Sequence, residues 1–384
     1  MIPQTDVLIV GGGAIGCALA RELAGRGRRV TLLDRGQAGE EASAAAAGLI
    51  SPQSDFRDPG PLFELALESR GLYPEWTRSL EEETGQEVGY RRTGLLRCAL
   101  DEREEAGLAG FSWQRQRGLA LEPLDAGSLS SRAGVPLAPD VRAGVFFPDE
   151  GAVDPRRLTK ALLLAARARG VEVREGEAAR RFWIEGVRCL GVEVEGGRLG
   201  AEYVVDAAGA WAGFDQTLPF PVPIEPVRGQ IVELDLGPAA PRTCLHSEAV
   251  YLVPRADGRV LVGSTLERVG YRKEVTAGVV ERLIDSAARL LPAVRSARFV
   301  TAWAGLRPGT PDNLPVLGAC AVEGLLFAAG HYRNGILLAP ITARLLADRL
   351  TGGAARNLDS FAVSRFGQTG RAGATGAPPA EVFR

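Results

Sequence analysis

Histidine, lysine and cysteine are all scarce in this chain, and each scarcity removes a class of function. The 384 residues hold two histidines, His246 and His331, too few for a histidine-based metal centre. The five cysteines, Cys17, Cys98, Cys189, Cys244 and Cys320, are odd in number, widely spaced and without a CxxC pair. That pattern predicts reduced, packed thiols rather than a disulfide framework or a zinc site. Lysine is confined to Lys160 and Lys273, so arginine carries nearly all the positive charge. A net charge of −2 leaves no basic excess for nucleic acid or an anionic membrane. No apolar run approaches the ~20 residues that a membrane helix needs. The apolar stretch 7–20 lacks the basic leader of a signal peptide, so the expectation is a cytoplasmic protein. Hydrophobic residues at 46% and charged residues at 24% are those of a folded chain, whose length suits two or three domains.

What is abundant is glycine, and its placement carries the first functional signal. Asp6-Val-Leu-Ile-Val10 is a short apolar run of the kind that forms a buried parallel strand. It leads into Gly11-Gly12-Gly13-Ala14-Ile15-Gly16, a G-x-G-x-x-G sequence, followed by a helical pattern at Ile15, Leu19 and Leu23. A second apolar run, 29–33, ends at Asp34 with Arg35 beside it. Strand, glycines, helix, strand and acid in this order predict a dinucleotide site. Gly11 permits the tight turn, Gly13 admits the pyrophosphate, and Gly16 lets helix and strand pack closely. The N–H groups of the helix start face the phosphates, and Asp34 meets the ribose hydroxyls. An acid at position 34 disfavours NADP, but the motif does not separate NAD from FAD.

Residues 40–51, Glu-Glu-Ala-Ser-Ala-Ala-Ala-Ala-Gly-Leu-Ile-Ser, read on composition alone as an alanine-rich helix, or as backbone passing close to a flat ligand. In company with Tyr203-Val-Val-Asp-Ala-Ala-Gly-Ala-Trp211, the stretch resembles the D-amino-acid oxidase superfamily, also called the glycine oxidase and sarcosine oxidase family. Three closing motifs carry the resemblance furthest. They are Thr301-Ala-Trp-Ala-Gly-Leu-Arg-Pro-Gly-Thr-Pro-Asp312, Asn313-Leu-Pro-Val-Leu-Gly318 and Gly330-His-Tyr-Arg-Asn-Gly-Ile-Leu-Leu-Ala-Pro340. These look like the glycine oxidases of bacterial thiamine biosynthesis, and the likeness spans roughly residues 5 to 352.

The resemblance implies FAD, with Ser43, Ala47, Gly48 and Leu49 along the pyrophosphate and flavin and Ala179, Ala208, Gly209 and Trp211 nearby. It adds Gly305, Gly330, His331, Tyr332, Arg333, Asn334, Gly335 and Ile336 at the flavin. The residues give an independent reason. Leu325-Leu-Phe-Ala-Ala329 reads as a strand, and a helix begins near Gly335 and runs to Leu350. A helix N-terminus aimed at the flavin stabilises the negative charge of the reduced ring. Sarcosine-oxidase relatives attach flavin through a cysteine just before Thr-Pro-Asp; this chain has Gly305 there, so non-covalent FAD is expected.

A guanidinium can grip a substrate carboxylate in bidentate fashion. Arg307, set among apolar neighbours, aligns with the carboxylate-binding arginine of the family, Tyr251 with its tyrosine partner, and Arg333 with an arginine near the pocket mouth. Three positions depart from the family pattern: Leu266 for a methionine, Ala249 for a histidine and Ser51 for a glycine. The implied reaction is FAD-dependent oxidative deamination of a small amino acid, glycine foremost, with dioxygen as acceptor and hydrogen peroxide as product. Open alternatives are a D-amino-acid dehydrogenase or oxidase acting on D-alanine, D-proline or sarcosine, a non-catalytic flavin-binding subunit, and an NAD-dependent dehydrogenase. No nucleic-acid or membrane partner is expected, and the resemblance implies a homo-oligomer, dimer or tetramer.

The expected fold is α/β (α+β overall): a Rossmann-like FAD-binding domain with a parallel sheet, plus an antiparallel-sheet substrate domain. The first would be discontinuous, from 1–85, 150–217 and 300–355, and the second would comprise 86–149 and 218–299. The amphipathic pattern Leu158, Leu162, Ala165 predicts a helix starting at Asp154, with a strand at 171–173. Further strands are expected at 227–234, 249–254 and 259–264. A Gly/Ala/Thr/Pro-rich end predicts a disordered tail over 366–384.

Overall fold

The computed structural model describes residues 5–354 and 356–367. Strand β1 (Thr5–Val10) turns through the glycines into α1 (Ala14–Gly25), and β2 (Val30–Asp34) follows. Next come α2 (Pro61–Thr84), β3 (Leu95–Ala99), β4 (Glu122–Asp125) and β5 (Ala143–Phe147). The middle of the chain holds α3 (Pro155–Ala168), β6 (Glu172–Glu175), β7 (Gly197–Asp206), β8 (Glu225–Asp235) and β9 (Cys244–His246). Then follow β10 (Tyr251–Pro254), β11 (Arg259–Gly263), α4 (Ala277–Leu290) and β12 (Arg298–Gly309). Last are β13 (Val316–Ala319), β14 (Leu325–Ala329) and α5 (Gly335–Leu350).

The elements make two large sheets. In the first the order is β13-β14-β7-β1-β2-β6. β14, β7, β1, β2 and β6 run parallel, β13 runs antiparallel to β14, and the hairpin arms Arg181–Glu185 and Arg188–Val194 extend β7. β1 is buried from Val7 onward because it lies at the centre of this sheet. Helices α1, α3 and α5 cover it, and Leu19, Leu23, Leu162 and Leu338 join one core with Ile9 and Leu32. Asp154 caps α3 by accepting the N–H groups of Arg156 and Arg157, so the helix starts where the sequence predicts. No helix among the described residues is long and apolar enough to cross a membrane.

The second sheet has the order β12-β8-β11-β10-β9-β3-β5-β4, antiparallel throughout except where β9 runs parallel to β3. Its apolar face packs on α4 through Val232, Val262, Val279, Leu283 and Leu290. Here one expected boundary is corrected. Residues 300–309 were assigned to the FAD-binding domain, yet β12 pairs with β8 from Glu225↔Gly309 to Asp235↔Arg298 and belongs to the second sheet. The motif misleads because the inner end of β12 faces the cavity between the sheets while its backbone is bonded elsewhere. Segment 40–51 is not a continuous helix: Ala42–Ala45 form a single turn, and Leu49–Ile50 pair with Gly151–Ala152. The expected tail lies outside the described residues beyond Gly367, and Phe366 closes the turn Val363–Phe366.

Candidate active site

A cavity of about 430 Å³ runs between the two sheets. At one end lie Gly11, Gly13, Ala14, Ile15, Asp34 and Arg35, with Ala179, Ala208, Gly209 and Trp211 beside them. Gly11 (φ +110°) admits no side chain, since a Cβ would sit 2.3 Å from the carbonyl oxygen of Ala207. Gly16 does not line the cavity; a Cβ there would fall 1.9 Å from the Gly11 carbonyl oxygen, so its role is the close packing of α1 on the turn. The carboxylate of Asp34 accepts the N–H groups of Gly12 (2.8 Å) and Gly36 (2.8 Å) and so pins the turn beside it. Ser43 Oγ accepts the Ala14 N–H at 2.9 Å, which fixes the 42–45 turn over the start of α1. Asp206, at the end of β7, holds the Ala208 and Gly213 N–H groups, and burial pushes its carboxyl up to about 6.

The middle of the cavity is lined by Ala47, Gly48, Leu49 and Gly305 and closed by the start of α5, with His331, Tyr332, Asn334, Gly335 and Ile336. A Cβ at Gly305 would meet that of Ala45 at 2.3 Å, so no cysteine fits there, and no cysteine is among the described residues lining the cavity. Arg255 donates to the carbonyls of Ala47 (2.9 Å) and Val153 (3.0 Å) and fixes the 47–48 backbone. Gly330 does not line the cavity; at φ +71°, with Thr310 Cγ2 2.7 Å from where a Cβ would lie, it turns the chain out of β14. Tyr332 follows with φ +49° and donates its N–H to the Pro308 carbonyl at 3.0 Å. His331 is buried against Thr342 (3.1 Å), and burial pushes its imidazole down to about 3, so it stays neutral. The N-terminal turn of α5 thus presents backbone N–H groups and the positive dipole end to the cavity.

At the far end Arg307, Tyr251, Leu266, Ser51, His246 and Arg333 line the wall. Arg307 is half-buried and donates to Ser264 Oγ (2.7 Å) and the Thr265 carbonyl (3.0 Å). A guanidinium carries five N–H donors, and the Tyr251 hydroxyl beside it is a further hydrogen-bond partner. Burial lowers its affinity for the proton, yet arginine remains charged. Arg307 lies over Gly229, where a Cβ would be 2.0 Å from Nη1, and Tyr251 lies over Gly263, where a Cβ would be 2.6 Å from Oη. Arg333 is exposed and its guanidinium lies 5.9 Å from the Tyr332 ring. His246 Nδ1 is 3.1 Å from Arg97 Nη1. Burial, with Arg97, Arg333 and Arg57 around it, holds this imidazole well below its ordinary value. Ala249 is not among the described cavity-lining residues, and His246 brings an imidazole to the wall instead.

Every sequence-predicted site residue except Gly16 and Gly330 therefore lines one cavity. Gly229, Gly263, Ser264, Thr265, His246 and Asp206 shape it without having been singled out beforehand. Only the register of β8, β10 and β11 brings the first three against Arg307 and Tyr251; a glycine inside a strand was the one available signal. The residues fit FAD. The glycine turn, the acid at the end of β2 and the helix start suit an ADP moiety, and the small-residue wall at 45–48 and 305 leaves space for a flat ring.

The family model described as FAD dependent oxidoreductase matches residues 6–349. The glycine oxidase of Pseudomonas putida is 37% identical over 350 residues, covering 90% of this chain and 94% of that protein. The bifunctional protein ThiO/ThiG of Synechocystis is 38% identical over 355 residues, covering 91% of this chain but 52% of its own length. The chain therefore spans about half the length of that bifunctional relative. The crystal structure of glycine oxidase from Geobacillus kaustophilus superposes with a TM-score of 0.90 at 35% identity, covering 94% of this chain and 99% of that one.

Proposed function

This chain belongs to the family of FAD-dependent oxidoreductases, and from that premise we propose that it oxidises the amine of a small amino acid, glycine foremost. The observation that carries the proposal is the pair Arg307 and Tyr251 at the end of the cavity beyond the small-residue wall. The first sheet and its helices serve as the FAD-binding part, and the second sheet as the substrate-binding part.

When bound, FAD supplies the two-electron acceptor and returns those electrons to dioxygen as hydrogen peroxide. Arg307 pairs with the substrate carboxylate, and Tyr251 donates its hydroxyl to the same group. Together they fix the α-carbon toward the middle of the cavity, which is the geometric contribution of the protein. Leu266 and the neutral His246 bound a pocket suited to a small substituent, and Arg333 stands at its mouth. The positive charge of Arg307 and Arg333 at this end of the cavity disfavours the ammonium and so favours the neutral amine, the form that can give up a hydride. The released imine takes up water, so glycine, dioxygen and water yield glyoxylate, ammonia and hydrogen peroxide. The family likeness also supports an imine supply for the thiazole of thiamine, a cytoplasmic location and a homo-oligomer. The fit of residues 45 and 305 supports non-covalent FAD.

The test is peroxide release with glycine, sarcosine, D-alanine and D-proline, run beside reduction of an artificial dye. Glycine is expected to give the highest kcat/KM with stoichiometric peroxide. Arg307→Ala is expected to lower kcat/KM about 10- to 100-fold, the worth of a charge-assisted hydrogen-bonded pair. Dye reduction without peroxide would identify a dehydrogenase, and no turnover by the purified FAD-loaded chain would identify a binding subunit. An unchanged Arg307→Ala would remove that residue from the role.

A further inference from the structure

Between β11 and α4, residues 267–276 leave the second sheet and cross to the nucleotide end of the cavity. Both ends of this segment are tied to one place on β8. Arg228 and Glu267 exchange backbone hydrogen bonds (2.9 and 3.0 Å), and the Arg228 guanidinium pairs with the Glu267 carboxylate at 2.5 Å and donates to the Glu274 carbonyl at 3.0 Å. Gln230 donates to Glu267 (2.8 Å) and accepts the Thr276 N–H (2.9 Å). The root is thus a buried polar knot.

The tip is held differently. Tyr271 stacks on Trp211, with ring centroids 5.4 Å apart at 25°, and donates its hydroxyl to the Ala210 carbonyl at 3.2 Å. Lys273 Nζ lies 3.0 Å from Glu41, whose other carboxylate oxygen lies 3.3 Å from Arg35. The Arg35 guanidinium sits 3.6 Å over the Trp211 ring, so four contacts link five side chains in a row whose two ends, Tyr271 and Lys273, are joined by the backbone. Trp211, Ala210, Arg35 and Glu41 all line the cavity, next to Asp34. Tyr271 itself is 53% exposed.

We infer that residues 267–276 form a clasp over the adenosine end of the FAD site, and that Tyr271 and Lys273 are positioning residues that retain FAD by holding Trp211, Arg35 and Glu41 in place. The inference rests on the FAD fit and not on the identity of the amino acid. Two physical features support it. Side chains ordered before a ligand arrives remove that ordering cost from binding, and Arg35, Glu41 and Trp211 are ordered here by groups from the opposite sheet. The exposed ion pair is weak and partly screened by salt, and the exposed stack is of similar modest strength, so the tip can lift while its root stays fixed. A clasp of that construction sets the rate at which FAD leaves.

The experiment follows flavin release from the FAD-loaded full chain by recovery of flavin fluorescence after dilution. Tyr271→Ala is expected to speed release about five- to tenfold, the value of an aromatic pair converted to a rate ratio. Tyr271→Phe, which keeps the ring, is expected to stay within about twofold of the parent. Lys273→Glu is expected to speed release about two- to fivefold, and Lys273→Arg, which keeps the charge facing Glu41, to stay within about twofold of the parent. FAD is also expected to slow tryptic cleavage after Arg268, Arg272 and Lys273 in the parent protein. Release rates that do not move in the Lys273→Glu and Tyr271→Ala proteins would overturn the inference. So would a Lys273→Arg protein that releases FAD as fast as Lys273→Glu, since a merely structural segment would lose stability without following the sign of the charge. Because the readout is flavin release, it gives the same answer whichever amino acid is oxidised.

Discussion

Arg307 and Tyr251 reach the cavity from two strands of one sheet, and each owes its position to a glycine with no other evident task. Gly263 stands directly opposite Tyr251 in the ladder, and Gly229 lies diagonally from Arg307, which is itself opposite Val227. In both cases a Cβ would occupy the space of the functional group, so the small residue is part of the site. Glu150 makes a different residue-scale point. It is fully buried, one carboxylate oxygen accepts the Ser54 N–H at 2.9 Å, and it thereby supports the 52–55 turn, of which Asp55 and the preceding Ser51 line the cavity. Burial pushes its carboxyl from 4.5 to about 8, against the pull of that hydrogen bond. Because the folded value is the higher one, the folded chain keeps a proton that the unfolded chain releases between those limits. The resulting stability is full below about 4.5 and is lost by about 8, with a slope of ~1.4 kcal/mol per pH unit for one proton. Glu150→Gln, neutral at every pH, is therefore expected to gain melting temperature relative to the parent between pH 5.5 and pH 8.5. An offset that is the same at both pH values would show that Glu150 does not titrate in this window.

At the scale of elements, α5 carries an interior proline, Pro340, whose missing N–H leaves the Ile336 carbonyl without its helical partner. Helix α2 repairs the loss. Tyr73 donates its hydroxyl to the Ile336 carbonyl at 2.5 Å, and Ser69 donates to the neighbouring Leu337 carbonyl at 2.6 Å. Tyr73 is buried, so its loss strands the Ile336 carbonyl away from water. Tyr73→Phe is expected to cost about 1–3 kcal/mol, read as a lower melting temperature. The cost is expected to shrink when Pro340→Ala restores the helical N–H, so the two changes should be non-additive. Equal costs in the two backgrounds would refute the repair. This pairing was invisible in the sequence because the two helices are far apart in the chain. What was legible is local. The glycine turn, α1, the cap at Asp154, β14 and the start of α5 each announce themselves within a dozen residues or so. Gly229, His246 and the placement of β12 depend on strand register across a sheet, which no short window encodes. The alanine-rich 40–51 segment was ambiguous for a related reason. Its composition favours helix, but contacts to α3 and β12 hold it to a single turn.

For the whole molecule, the cavity is walled by both sheets. β1, β2 and β7 and the start of α5 bound one side, and Gly229 and Ile231 of β8, Tyr251 of β10 and the inner end of β12 bound the other. Arg255 already ties the second sheet to the 47–48 backbone, and Trp303 of β12 donates its indole N–H to the Ala45 carbonyl at 3.1 Å. A cofactor bound between such walls stabilises both at once. At a thousandfold excess over its dissociation constant, a ligand specific for the folded chain contributes about 4 kcal/mol. Adding FAD to cofactor-depleted protein is therefore expected to raise a single melting transition that climbs with the logarithm of FAD concentration. Hydrogen exchange supplies the sharper reading. Amides of β8 and β12 should gain protection together with those of β1 and β2, although only the first sheet carries the glycine turn. Protection confined to the first sheet, or a second transition that FAD leaves unmoved, would mean that the second sheet folds independently of the cofactor. Arg307 would then lack the cofactor-coupled rigidity that its proposed pairing with a substrate carboxylate requires.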